Sequence, residues 1–309
     1  MQREIDSALE KNPDDEKTKK LKSLRDETVE KGKKNNEAYL VSDHLDAYVA
    51  TSMRLKHEYM TINKITKKIF EHSDIKDMQL RYFDPTQAYC DNRIDKGLTE
   101  ALMLRRASCT IYLAQESDTL GKDSELASTL AQGKAVIAYI PTCDDAFFEE
   151  YLDILKQTNK GIVDIELLLE QLKIFKPNLA WEDETVMEWI RDKDSVQVKK
   201  VKEKLKEIMR DHYNKRADTL SNKHPLCIQV HLDSGVANGV LVVRTIDDCV
   251  KLLKKIILND TEFNLDFDKD PEGNEHLYLK EKISNCIHRV MSGNKLLSNS
   301  FWNHYLELI

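Results

Sequence analysis

One stretch restricts what this chain can fold into more than any other. From Cys109 to Pro141 an apolar run, a polar loop, a helical repeat and a second apolar run follow with short connections. Cys109-Thr-Ile-Tyr-Leu-Ala114 is rich in β-branched and aromatic residues, the composition of a strand covered on both faces. After the polar Gln115-Glu-Ser-Asp-Thr-Leu-Gly-Lys122, Asp123 suits an N-cap. Leu126, Ala127, Leu130 and Ala131 then recur at helical spacing until Gly133. Ala135-Val-Ile-Ala-Tyr-Ile140, closed by Pro141, is the next strand. Elements this close together form a βαβ unit, and such sheets bind ligands in the crevice beyond the carboxyl ends of their strands. The expected fold class is α/β: a flavodoxin/Rossmann-like parallel sheet, followed by a helical region and a small C-terminal α+β region.

Glu125 falls where this loop becomes helix. With Asp123 as cap, the free N–H groups and dipole of a first turn favour its ionised form by up to about 1 kcal/mol. A carboxylate facing a sugar C1′ can attack it, or stabilise the oxocarbenium-like charge that develops as a glycosidic bond breaks. From position alone, a glutamate that merely complements the dipole is the better account.

The segment Asp118-Thr-Leu-Gly-Lys-Asp-Ser-Glu-Leu-Ala-Ser-Thr-Leu-Ala-Gln-Gly-Lys-Ala-Val-Ile137 resembles the signature of the nucleoside 2-deoxyribosyltransferase-like proteins. There an aspartate-bearing loop leads into a helix carrying the catalytic glutamate, followed by Gly-Lys and a hydrophobic strand. TIR domains that cleave NAD are similar in fold and in using a glutamate. The resemblance covers Ala47 to Pro141, about a third of the chain. It implies that Glu125 and Asp118 are catalytic, Glu125 as nucleophile or charge stabiliser and Asp118 as a contact to ribose hydroxyls or base. Where the family carries a glycine-rich or tyrosine-bearing loop, this chain has Thr51-Ser-Met-Arg54. The implied activity is hydrolysis or transfer at the N-glycosidic bond of a nucleotide, foremost NAD cleavage releasing nicotinamide. By analogy with stand-alone bacterial proteins of this kind, the resemblance further implies an antiphage effector restrained by self-association or a regulatory partner. The alternative is a binding module that senses a nucleotide without cleaving it.

Other polar loops are expected to meet Glu125 at the same edge. Ala47-Tyr-Val-Ala-Thr51 reads as the first core strand, and Thr51, Ser52, Met53 and Arg54 form the turn after it. A helix with Leu55, Met60, Ile62, Ile65 and Ile69 follows, so the turn sits at a helix N-terminus. There Arg54 and backbone N–H groups suit a phosphate, unless Arg54 pairs with Asp46 or Asp84. Gln79-Leu-Arg-Tyr-Phe83 supplies a second strand, with Asp84, Thr86 and Gln87 beyond it; Asp84-Pro85 cannot continue a ladder. Tyr89, Asn92, Arg93 and Asp95 precede a helix from Leu98 to Ala107, either as base or ribose contacts or as an ordinary capped start. Gln115 and Ser124 complete the expected substrate-binding set, whose strength is convergence.

With 309 residues, two or three domains are expected. Residues 1–36 carry 19 charges in their first 34 positions and read as a charged helical arm ended by Asn35-Asn36. Residues 37–160 form the α/β domain. Residues 161–222 form a helical connector, with helices at Asp164–Phe175, Trp181–Arg191 and Val196–Leu220, and 223–309 a C-terminal α+β domain. In the last, Leu226–Leu232 and Val240–Val243 read as strands, Asp260–Glu275 as an acidic loop that only faintly follows a calcium-loop pattern, and Tyr278–Ile309 as helix. A net charge of −7 argues against nucleic acid as partner. No apolar run approaches eighteen residues and the first thirty are densely charged, so neither membrane span nor secretory signal is expected. Six scattered cysteines without a CxxC pair indicate neither zinc nor a disulfide framework, and point to a cytoplasmic protein. The expected ligand is a nucleotide serving as substrate, without cofactor or metal.

Overall fold

The computed structural model describes residues 2–12, 15–116, 119–159, 164–178, 195–223, 228–231, 236–269, 273 and 275–290. Five strands form a parallel sheet: β1 (Leu45–Ala50), β2 (Tyr82–Phe83), β3 (Ala107–Leu113), β4 (Ala135–Tyr139) and the second half of β6 (Val236–Val243). Their order, β2-β1-β3-β4-β6, is that of a flavodoxin-like doubly wound sheet, and the direction of winding reverses between β1 and β3. The central strands are apolar without alternation because helices cover both faces; Ala47, Ile111, Val136, Ile137 and Ala138 are fully buried.

Helices α4 (Arg93–Arg106) and α5 (Leu120–Ala131) pack over β1 and β3. Helix α3 (Lys56–Phe70) packs against α6 (Asp145–Thr158) and against α9 (Ile246–Ile257), which also covers β4. Helix α7 (Asp164–Phe175) pairs with α8 (Ser195–Asp218), whose Val201, Leu205, Met209 and Tyr213 are buried, so α8 is part of the core. No helix among the described residues is long and apolar enough to cross a membrane.

Three expectations change on inspection. The arm consists of α1 (Gln2–Lys11) and α2 (Glu16–Val41), and α2 runs through Asn35-Asn36 to Val41. Both asparagine amides are drawn into tertiary contacts, Asn35 Nδ2 donating to Gln87 O at 2.9 Å and Asn36 Nδ2 to Cys90 Sγ at 3.4 Å, so neither ends the helix. Val240–Val243, expected within a separate C-terminal domain, pairs in parallel with Val136–Tyr139 and completes the main sheet. Only the first half of β6 turns to the antiparallel partner β5 (Ile228–His231). Lastly, the expected acidic loop and helix contain β7 (Phe263–Lys269), β8 (Glu275–Glu281) and β9 (Ile287–Val290), an antiparallel extension of the sheet. Phe263, Leu265 and Phe267 alternate with Asn264, Asp266 and Asp268, a period of two that outweighs the acidic content. Asp266 and Asp268 thus lie on a strand, and the expected helix at Trp181–Arg191 lies outside the described residues.

Candidate functional site

At the winding reversal, the segments after β1 and β3 lie side by side. Gln115 is buried and spends its amide on the neighbouring turn. Its Oε1 accepts from Ser52 N at 2.6 Å and Thr51 Oγ1 at 2.9 Å, and its Nε2 donates to Ser52 O at 2.6 Å. Thr51, Ser52 and Gln115 are therefore brought together, with Gln115 acting as a clamp on the chain. Met53 packs on the core. Glu58, in the first turn of α3, accepts from the backbone N–H of Arg54 and Leu55 and closes the capping interaction. Arg54 itself is exposed and pairs with neither Asp46 nor Asp84: Asp46 accepts from Arg81 N, and Asp84 Oδ1 accepts from Thr86 N at 2.8 Å.

Asp84 is buried, and burial raises its carboxyl above the usual range against the two Thr86 hydrogen bonds. Thr86 and Asn63 meet at 3.3 Å in a groove between α3 and α6 that Tyr59 and Met60 also line. Gln87 gives its carbonyl to Asn35. Three other expected contacts are structural. Asn92 caps α4 through Asp95 N at 2.8 Å, Tyr89 N donates to Gly32 O in the arm, and the exposed Ser124 donates from Oγ to Leu120 O at 2.6 Å. Asp118 lies outside the described residues.

Glu125 is placed differently from the expectation. Thr119, not Asp123, caps α5, its side chain accepting from Lys122 N at 3.2 Å; Glu125 thus sits in the second turn and not at the dipole's positive end. A hydroxyl at 119 followed by Leu120-Gly121 opens the helix four residues earlier than the aspartate, and Asp123 is left in the first turn for a cation. Arg216 of α8 supplies it, its Nη2 3.3 Å from Asp123 Oδ1 while it also donates to the Tyr112 hydroxyl. Without the dipole, solvation decides the charge of Glu125. Burial raises its carboxyl to about 7, opposed by the hydrogen bond from Tyr48, whose Oη donates to Oε1 at 2.8 Å. Glu100 adds to the rise, and Lys96 and Lys122 oppose it. The second oxygen, Oε2, is buried and has no hydrogen-bond partner among the described residues.

Tyr48 and Glu100 are the residues that sequence reasoning did not weigh fully. Tyr48 comes from the middle of β1, stacked on Phe83 with ring centroids 5.2 Å apart, and burial pushes its phenol well above the ordinary value. Its place in the apolar run Ala47–Thr51 suits the core, and its hydroxyl is what lets it complete the site. Glu100, on α4 with Lys96 Nζ 3.6 Å from its Oε1, carries no sequence signal that points to the site.

On the far side of the same edge, a second polar cluster binds the helices together. His57 Nε2 lies 3.3 Å from Glu116 Oε1 with both side chains buried, and Tyr151 Oη donates to Gln171 at 2.6 Å. Burial, the largest single influence, raises the Glu116 carboxyl, but His57, a backbone N–H and the Tyr151 hydroxyl together outweigh it and hold the carboxyl below its usual value. Helix α8 closes this side: His212 Nε2 reaches Gln115 O at 3.3 Å and Arg210 Nε donates to Cys143 O at 3.4 Å. Helix α8 thereby contacts the segments that follow β3 and β4.

Comparison of the chain with protein-family models, curated proteins and solved structures finds no match.

Proposed function

We propose that this protein hydrolyses or transfers at the N-glycosidic bond of a nucleotide, NAD being the first substrate to test. The observation that carries the reading is the Tyr48–Glu125 hydrogen bond beneath the winding reversal, where doubly wound sheets place ligands. A half-buried carboxyl at about 7 is present in both protonation states at neutral pH, the condition for acid or base work. In its ionised form it acts on C1′, with Tyr48 orienting the carboxylate through Oε1. Arg54, exposed beside the first turn of α3, takes phosphate, while Asp84 and Asp118 orient ribose or base. We place the protein in the cytoplasm, as an antiphage effector restrained by a second copy or a regulatory protein; this part rests on resemblance alone.

The test is to incubate the full chain with NAD and with deoxynucleotides and to follow released nicotinamide or free base. Glu125→Gln abolishes release if the reading holds; unchanged activity sinks it. The alternative is a nucleotide sensor that does not cleave, in which protonated Glu125 would donate a hydrogen bond to the ligand and could not attack carbon. Ligands that raise the melting temperature while remaining intact select that reading.

A further inference from the structure

Helix α4 buries one face and leaves the other bare. Thr99, Met103 and Leu104 are buried, whereas Ile94 is 75% and Leu98 66% exposed, and Ala101 and Arg105 continue the same line in solvent. Positions 94, 98, 101 and 105 are separated by four, three and four residues, the spacing of a seam between helices. Large aliphatic side chains in the middle of such a line form the kind of patch that marks a contact surface. The patch does not stop at α4. Leu98 and Leu102 line a groove of about 460 Å³ whose other wall is α2, with Leu40 on it and Asp91 and Asp95 at its rim. Arg106 Nη1 donates to Leu40 O at 2.9 Å and to Ser42 O at 2.7 Å, which fixes the end of α2, with the exposed Leu40 and Val41, beside the last turn of α4.

Charge says what covers this face. The stripe is acidic at its start, at Asp91 and Asp95, apolar in the middle, and basic at its end, at Arg105. A surface built in that order is complementary to a copy of itself turned end for end. We propose that this face joins two copies of the chain, α4 lying antiparallel to the partner's α4 with Leu98 at the two-fold axis. The axis brings each residue level with the one equally far beyond Leu98, so Ile94 meets the partner's Leu102 and Asp91 meets the partner's Arg105. A parallel pairing would instead set Asp91 against Asp91 and Arg105 against Arg105, and would align the two helix dipoles unfavourably. Lys33 Nζ lies 3.2 Å from Asp91 Oδ2, yet the Asp91 side chain is 69% exposed and has room for a second cation. The acidic rim also disfavours an anionic lipid surface as occupant. A standard interface takes about 800 Å² from each partner, and α4, with 14 residues, is only about 21 Å long. The end of α2 is therefore part of the contact. This inference goes beyond the N-glycosidase reading and does not rest on it.

The experiment is sedimentation velocity of the full chain over a series of micromolar concentrations. Wild type should sediment as a monomer in equilibrium with a dimer. Leu98→Asp sets two carboxylates against each other at the axis and should raise the dimer dissociation constant by about a hundredfold. Asp91→Arg and Arg105→Asp should each weaken the dimer, and the two together should restore it, a rescue that general damage to α4 does not produce. A wild type that stays monomeric at every concentration leaves the stripe to another segment or another partner and overturns the proposal. So does a dimer indifferent to Leu98→Asp. If Leu98→Asp does not fold, the charge pair decides, rescue supporting the proposal and no rescue refuting it. Failure of the glycosidase reading looks different: wild type releases no base from any nucleotide while the dimer and its response to Leu98→Asp persist.

Discussion

Alanine at two helical glycines should have opposite effects, and the difference measures how firmly the N-terminal arm is docked. Inside a helix, alanine is favoured over glycine by about 0.8–1 kcal/mol through backbone entropy alone. At Gly97, exposed in α4, a Cβ meets nothing within 4 Å, so Gly97→Ala should gain most of that amount. At Gly32, buried in α2, a Cβ lands 2.8 Å from Tyr89 Cβ and 3.4 Å from Tyr89 N. Both atoms are fixed to the backbone, so no rotamer relieves the contact and either α2 or the Ala88–Cys90 segment must move. Overpacking of this kind costs about 1–3 kcal/mol. The same movement strains the 3.2 Å hydrogen bond from Tyr89 N to Gly32 O, worth about 1 kcal/mol. Set against the propensity gain, the expected net loss for Gly32→Ala is about 1–2 kcal/mol. Urea unfolding of both variants reads the signs, and hydrogen exchange locates the loss in α1, α2 and the Gln87–Cys90 segment. A Gly32→Ala protein as stable as Gly97→Ala would show that the arm is not seated on that segment.

Three further outcomes follow. Because Glu125 is raised to about 7 in the folded chain, the folded state binds more protons than the unfolded one between pH 4.5 and 7. Stability should therefore fall as pH rises through that window, by on the order of 3 kcal/mol, and Glu125→Gln should flatten the urea midpoint there; a wild-type midpoint that rises with pH refutes the assignment. Gln115→Ala removes three hydrogen bonds from the Thr51-Ser52 turn and leaves buried backbone groups unpaired, which should cost about 2–4 kcal/mol by the same assay, while Arg54→Ala should change stability by less than about 0.5 kcal/mol. A chain ended after Lys223 lacks the strand that pairs with Val136–Tyr139, so light scattering should show aggregation through the bared β4 edge; a soluble monomer would mean that β6 is dispensable to the sheet.

Local rules carried the sequence reading furthest where one short window holds the whole signal. The β3–α5–β4 unit was legible because its apolar runs, its helical stripe and its closing Gly133, at φ 72°, are all adjacent in the chain. What escaped was set by residues far apart. Nothing near Asn35-Asn36 announces that Gln87 and Cys90 will accept their amides, and Val240–Val243 looks the same whether it starts a new sheet or ends an old one. The same distinction explains Glu125. Its helix was visible, but its charge depended on which of two good caps, Thr119 or Asp123, begins that helix, and Arg216, 93 residues further on, pairs with Asp123.

That choice of cap changes the chemistry more than it changes the fold. With Asp123 as cap, Glu125 would lie within reach of the unpaired N–H groups of the first turn and remain an anion through the neutral range. With Thr119 as cap, it moves to the second turn, where the backbone N–H groups are already used within the helix. The remaining influences are burial, the Tyr48 hydroxyl and the charges on α4. Of these, burial is the largest, which is why a glutamate expected to be a plain carboxylate becomes a group that can gain or lose a proton near pH 7. Moving the cap back is therefore a chemical perturbation. Thr119→Ala removes the hydroxyl that accepts from Lys122 N, at a cost of about 1 kcal/mol. If the helix then restarts at Asp123, Arg216 loses its partner and the Glu125 midpoint, read by carboxyl-carbon NMR of the full chain labelled at glutamate, should drop toward the ordinary carboxylate range. A midpoint that stays near 7 in a folded Thr119→Ala protein would mean that burial against β1, and not the start of the helix, holds the proton in place.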